Sequence, residues 1–169
     1  MTNLIDDLMA FARIDKMQLE RAPIDVSALA RDIVADLQQL EPARAVEMHI
    51  QPGISCFADR GLLRVALANV IGNAWKYSSR VERARIEIVA DTIDGQPVLV
   101  VRDNGAGFDM AHAAKLFGTF ERLHRQDEFP GTGIGLATVA RAISRQGGRV
   151  WASSVPDEGA TFWFTLPGG

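Results

Sequence analysis

Phe129-Pro130-Gly131-Thr132-Gly133-Ile134-Gly135-Leu136-Ala137 places three alternating glycines at the opening of an amphipathic helix. Successive backbone N–H groups and the positive end of the helix make such a phrase a ready anion site. It is not a dinucleotide fingerprint: after Gly131 and Gly133 the third glycine would have to stand at Leu136, and no clean strand precedes it. It is not a P-loop, because the chain contains no Gly-Lys pair. A merely flexible helix entry is the blander reading, and three alternating glycines make it the weaker one. The spacing predicts a helix over 132–146, stopped by Gly147-Gly148, and then two closing strands over 149–154 and 160–166.

Upstream of the glycines, the stretch from Asp103 to Gly135 is irregular and longer than an ordinary connection, which marks a functional lid. Before it, 85–93 and 96–101 read as paired strands joined by Asp94-Gly95, a type I′ hairpin signal. Asp59 caps a helix running to about Tyr77, with Leu62, Leu63, Ala66, Leu67, Val70 and Ala74 on its buried face. Val46 to Ile50 alternates as a half-buried strand, Pro52-Gly53 ends it, and Ser55 to Ala58 is a short strand. A helix from a Ser27 cap to about Leu40 and an amphipathic helix from Asn3 to about Arg21, ending before Pro23, complete the order. Hairpins with helices between them imply an α+β fold: a two-layer sandwich of a mixed, mostly antiparallel sheet with helices on one face.

Composition narrows the function classes. The 169 residues fit about one domain at roughly 150 residues each. The balance of 18 basic against 21 acidic side chains, net charge −3, excludes a general nucleic-acid coat and a polybasic membrane anchor. Cys56 is the single cysteine, so no intramolecular disulfide forms, and a cytoplasmic setting is expected. No apolar run reaches the roughly 18–20 residues of a membrane span, so no membrane contact by this stretch is expected.

Two further polar clusters interrupt well-patterned elements. Asn69 and Asn73 stand four apart on one face of their helix, with Lys76 a turn onward. An amide oxygen suits a hard cation such as Mg²⁺ and a lysine suits phosphate, although the same amides could equally cap neighbouring loops. Asp103-Asn104-Gly105-Ala106-Gly107 follows an apolar strand. A carboxylate there accepts a hydrogen bond from an exocyclic amine such as adenine N6, where guanine offers an acceptor instead. The glycines let backbone approach a flat base. Taken alone, the cluster also reads as an ordinary turn.

The order and spacing of the three clusters resemble the N, G1 and G2 boxes of the GHKL (Bergerat-fold) ATP-binding superfamily, from about Pro23 to Pro167. Leu116 to Arg122 sits where sensor histidine kinases carry the F box. The Phe129–Ala137 phrase and Gly147-Gly148-Arg149-Val150-Trp151 are similar to histidine kinase catalytic domains, and Leu123-His124 to Glu128-Phe129-Pro130 to phytochrome-like and PAS-linked kinases. The resemblance implies ATP and Mg²⁺ as cofactors. By it Asn73 coordinates the metal, Asn69 faces the same phosphates, Lys76 contacts phosphate and Tyr77 lies over sugar or base. Asp103 reads adenine, with Gly105 and Gly107 as pocket wall. The lid spans 108–130, and Arg122 within it contacts the γ-phosphate. Gly131, Gly133 and Gly135, with Thr132 and Leu136 beside them, form the phosphate-side hinge. Thr161 matches a threonine of the last strand that supports the aspartate.

Members that hydrolyse ATP carry a glutamate base one turn before the metal-binding asparagine. Here that place is Asn69, an amide without a basic lone pair near neutral pH, which favours transfer to an already nucleophilic imidazole. Yet His49, His112 and His124 all lack the phosphoacceptor pattern, a helical histidine followed by an acidic residue and then a proline. Residues 1–21 resemble the end of the dimerisation and phosphotransfer helix, and 22–169 the catalytic ATP-binding domain. The expected partners are therefore a histidine-bearing dimerisation domain, in a homodimeric parent, and a response regulator. The first helix's apolar stripe packs either on its own domain or in a dimer seam. Two rivals are an anti-sigma-type serine kinase and a nucleotide-binding pseudokinase or interaction module.

Overall fold

The computed structural model describes residues 4–16, 18–107 and 135–165. The lid, with Arg122, His112 and His124, and the residues Gly131, Thr132 and Gly133 lie outside the described residues.

The chain runs α1 (Leu4–Ile14), β1 (Arg21–Asp25), α2 (Val26–Leu40), β2 (Glu47–Ile50), β3 (Ser55–Asp59), α3 (Arg60–Tyr77), β4 (Arg85–Ile93), β5 (Gln96–Asp103), α4 (Gly135–Arg145), β6 (Arg149–Val155) and β7 (Gly159–Thr165). Five strands form one mixed sheet in the order β2-β4-β5-β7-β6, with β2 parallel to β4 and every other neighbour antiparallel. β1 and β3 form a separate antiparallel pair. The α+β architecture with a mixed sheet is thus the expected one; the separate pair is an addition.

Side chains of directly opposed residues share a sheet face, so the register assigns the two faces. Ile50, Ile88, Val101, Phe162 and Ala152 form one cross-strand row, and Leu99, Phe164 and Val150 another. Both rows join the same core as Leu29 and Ile33 of α2, Leu62, Leu63, Leu67 and Ile71 of α3, and Val139, Ala142 and Ile143 of α4. These helices therefore cover one face. The other face carries Val100 and the half-buried pair Trp151 and Trp163, whose rings stack with centroids 6.0 Å apart.

Several local expectations are corrected. α1 ends at Ile14, not near Arg21, because residues 21–25 are drawn into the pair with β3, where Ile24 opposes Cys56. Its stripe divides: Ile14 is buried, whereas Ile5 and Met9 are exposed. The N-cap of α2 is Asp25, whose carboxylate accepts from the Ala28 N–H at 3.0 Å. Ser27 lies inside the helix, fully buried, donating to the Gln51 carbonyl and accepting from the Ile54 N–H. Two polar residues stood in capping range, and the one three positions before a free N–H won. Asp59 caps α3 as expected, taking the Leu62 N–H at 3.0 Å.

Gly72 lies inside α3, and a Cβ built there meets nothing within 4 Å. Glycine in a helix interior costs roughly 0.5–1 kcal/mol relative to alanine, mostly in unfolded-state entropy. Gly72→Ala is therefore expected to raise the unfolding free energy by that amount, seen as a higher denaturant midpoint with an unchanged slope. A lowered midpoint would show that the space is not free.

Candidate active site

Asp103 is the last residue of β5, and the register places it in the row Met48, Ile86, Asp103, Ala160, Ser154. That row lies on the helix-covered face, so the carboxylate occupies a position where its neighbours are apolar. It is only 8% exposed. Burial pushes its pKa up to about 6, against the opposing pull of the backbone N–H groups of Gly105 and Ala160. The Gly105 N–H donates to Oδ1 at 2.8 Å. A buried carboxylate with acceptor capacity left over is a group set to receive a donor.

The turn after Asp103 is held from three sides. The Tyr77 carbonyl at the end of α3 accepts the Ala106 N–H at 2.9 Å. Asn104 brackets the entry to β4, accepting from the Arg85 N–H and donating to the Arg83 carbonyl, both at 2.8 Å. The β6–β7 turn closes the third side, where the Asp157 N–H donates to the Ala106 carbonyl at 2.6 Å. Gly107 adopts φ +65° against the Val155 and Gly159 carbonyls and the Ser154 hydroxyl. Its left-handed backbone and the lack of room both require glycine.

α3 carries the amides and the cation. Asn69 Nδ2 donates to the Val65 carbonyl one turn back at 2.8 Å, which leaves Oδ1 facing the start of α4. A methyl group at Gly135 would stand 3.1 Å from that oxygen, so the N-terminus of α4 and Asn69 meet directly. Asn73 lies one turn onward and is half-buried. Lys76 places its ammonium 4.9 Å from the centroid of the Tyr77 ring. The structure thus brings Asn69 to Gly135, and Tyr77 to the turn that carries Asp103, Gly105 and Gly107. Leu136 packs against the hydrophobic core.

Thr161 needs correction. It opposes Arg102 and Ser153, while Ala160 opposes Asp103. Adjacent strand residues point to opposite faces, so Thr161 is turned away from the carboxylate it was expected to support. The support comes from the Ala160 backbone.

Two polar groups, one buried and one half-buried, escaped the sequence reading. Gln146, 1% exposed, accepts the Asp59 N–H on Oε1 at 2.8 Å and donates from Nε2 to the Ala142 carbonyl at 3.2 Å. Arg44 donates to the Trp75 carbonyl and, at 3.0 Å, to the Ser78 hydroxyl, with its guanidinium over the Trp75 ring at 4.7 Å. It thereby ties down the last turn of α3 beside Lys76 and Tyr77. Neither residue has a local pattern that marks it.

Among the described residues no group of three or more His, Cys, Asp or Glu side chains could hold a metal ion. The donor set is instead neutral amide oxygen, which fits Mg²⁺ held by few protein ligands with substrate phosphates and water completing its shell. Among the same residues, no helix is long and apolar enough to cross a membrane.

The comparisons agree with this geometry. The family model described as histidine kinase-, DNA gyrase B-, and HSP90-like ATPase matches residues 58–169. Phytochrome-like protein Cph1 of Synechocystis sp. is 32% identical over 169 residues, all of this chain and 22% of the relative. The phosphate regulon sensor protein PhoR of Pseudomonas aeruginosa is 33% identical, over 96% of this chain and 38% of its own length. The chain thus spans about a fifth of the phytochrome-type relatives' length. The solved structure of full-length ShkA in complex with AMPPNP superposes with TM-score 0.77 at 29% identity, covering 98% of this chain and 36% of that one. The catalytic domain of histidine kinase ThkA shares the fold, with TM-score 0.72 at 21% identity over 89% of this chain and 96% of that one. With its buried Asp103 carboxylate, amide-bearing α3 and glycine-opened α4, the chain is a member of the histidine kinase-, DNA gyrase B- and HSP90-like ATPases, of the type that forms the ATP-binding catalytic domain of sensor histidine kinases.

Proposed function

We propose that this chain binds Mg·ATP between α3, α4 and the Asp103 turn, and presents the γ-phosphate to a histidine on another domain. Asn73 would hold the metal, Asn69 and Lys76 would face the phosphates, and Asp103 would take the adenine amine. In the lid, Arg122 would add a γ-phosphate contact. The bound Mg²⁺ would neutralise phosphate charge, and the chain's own residues would position and shield the transferring group.

The observation that carries this reading is Asn69. The place one turn before Asn73 holds an amide engaged with its own helix through Nδ2, so no carboxylate there draws a proton from water. An imidazole needs no such base. The acceptor would belong to a histidine-bearing dimerisation domain of a homodimeric cytoplasmic parent, of which α1 would form the last helical turns, and the phosphoryl group would pass on to a response regulator. The exposed Ile5 and Met9 of α1 fit a seam with such a domain. Neither nucleic acid nor membrane has a part in this reading.

The test mixes this chain with a separate histidine-bearing helical fragment and radiolabelled Mg·ATP. Acid-labile label on the fragment is expected. Asn73→Ala should cut its rate by about a hundredfold, the size seen when one group stabilising transition-state charge is removed. Acid-stable label would move the chain to the serine kinases. Steady phosphate release by the chain alone would overturn the role given to Asn69.

A further inference from the structure

The start of α3 and the end of α4 meet at a second contact, far from the nucleotide. There Gln146 Oε1 accepts the backbone N–H of Asp59 at 2.8 Å, with both residues buried. Gln146 Nε2 is anchored to its own helix at the Ala142 carbonyl, and the Gln146 carbonyl accepts Arg21 Nη2 of β1 at 2.5 Å. Asp59 is equally committed: its carboxylate caps the Leu62 N–H and takes the Glu20 N–H at 2.9 Å. One bond at this junction thus joins α3 to α4 directly, two hold its side chains to their own helices, and two tie it to the chain at the entry to β1.

The junction lies opposite the phosphate end of the site. From Asp59 to Asn69 along α3 is about 15 Å, and from Gly135 to Gln146 along α4 about 16 Å, at ~1.5 Å per residue. The two helices run antiparallel, touching at Asp59–Gln146 at one end and at Asn69–Gly135 at the other. The spans match, so one contact fixes the register of the other. A slide of α4 along α3 by even 1 Å or so would break a buried hydrogen bond with no water to replace it.

We infer that Gln146 is a positioning residue for the phosphate end of the nucleotide site, pinning α4 in register so that its N-terminus stands against Asn69. This rests on the proposed ATP-binding reading. The adenine end is built on β5 and the turns around it, not on α4, so Gln146 governs phosphate affinity without governing adenine affinity. A purely structural glutamine would not separate the two.

The experiment compares Mg·ADP with adenosine, by calorimetry and by NMR titration, on wild-type chain and on Gln146→Met, a variant of similar volume that makes neither hydrogen bond. Mg·ADP affinity is expected to fall about tenfold, the scale of one buried hydrogen bond, with adenosine affinity unchanged. Ser27→Ala removes two buried hydrogen bonds away from α4 and serves as a control for destabilisation. It should lower the melting temperature and leave the ratio of the two affinities alone. Should the methionine variant not fold, Gln146→Asn keeps an amide one methylene too short to reach both partners and carries the same expectation. The inference is overturned if both ligands weaken together, if neither does, or if Ser27→Ala shifts the ratio as far as the Gln146 variant. If wild-type chain binds neither ligand, the nucleotide reading itself falls and this inference with it, a result distinct from the other three.

Discussion

Asp103→Asn is expected to cost at least about a hundredfold in affinity for ATP and adenosine, while making the nucleotide-free protein more stable at neutral pH. The two effects share one cause. The carboxylate is an acceptor on both oxygens; Oδ1 takes the Gly105 N–H, and the Ala160 N–H also donates to the group. An asparagine in the same place keeps the Gly105 bond through its oxygen and turns an NH₂ toward the ligand. Donor then faces donor in a buried site, which costs the ligand its hydrogen bond and leaves two groups desolvated. The same reasoning requires ATP to bind far more tightly than GTP, and equal affinities would refute the role of Asp103.

The stability arm has a definite sign. Burial raises the folded-state pKa from 3.8 to about 6, so between those values the folded protein holds a proton that the unfolded chain has released. Stability contributed by the protonated group is complete below pH 3.8 and is lost as pH rises through about 6. At ~1.4 kcal/mol per pKa unit the loss is about 3 kcal/mol, and the asparagine variant escapes it. Thermal unfolding from acid to neutral pH should show the wild-type curve falling relative to the variant. Binding runs the other way: adenosine, which has no phosphate to titrate, should bind better as Asp103 ionises. Parallel stability curves for the two proteins would show that the carboxylate carries no burial cost.

The parts of the fold that were legible in sequence are those whose chemistry is local. Asp59 reads as a cap because the apolar face of α3 starts just after it, and Asp94-Gly95 reads as a turn because few other pairs accept its backbone; Asp94 does take φ 51°. That Asn69, Asn73 and Lys76 lie along successive turns of α3 follows from helical spacing, while their roles rest on the family resemblance. What could not be read depends on register or on distant chain. Thr161 and Ala160 are neighbours, and only the pairing of β5 with β7 decides which one shares a face with Asp103. β1 has one buried residue, so it shows no alternation, and the sequence gives no reason to stop α1 at Ile14. Gln146 looks like an ordinary polar helix end until α3 is laid beside it. A one-residue shift in a strand, or one helix placed against another, carries no signature in composition or spacing.

Gly105→Ala should also weaken binding, and unlike Asp103→Asn should destabilise the fold. A Cβ at this position would overlap the Tyr77 carbonyl oxygen and lie 2.9 Å from Asp103 Oδ1. Neither neighbour can retreat cheaply. The Tyr77 oxygen holds the Ala106 N–H, and Oδ1 holds the N–H of Gly105 itself, so relief means breaking one bond that shapes the turn. The backbone of Gly105 is not in the left-handed region, in contrast to Gly107 at φ +65°, so the cost at Gly105 is one of space alone. Overpacking of this kind costs roughly 1–3 kcal/mol, and the displacement falls on the carboxylate proposed to read adenine. Adenosine affinity should therefore drop more than about tenfold together with the melting temperature, the former measured by calorimetry at a temperature where the variant is folded. The same substitution at Gly72, where the space is open, should move stability in the opposite direction. If Gly105→Ala melts and binds like wild type, the end of α3 and the Asp103 turn are not in contact, and the pocket would have to be built without Tyr77.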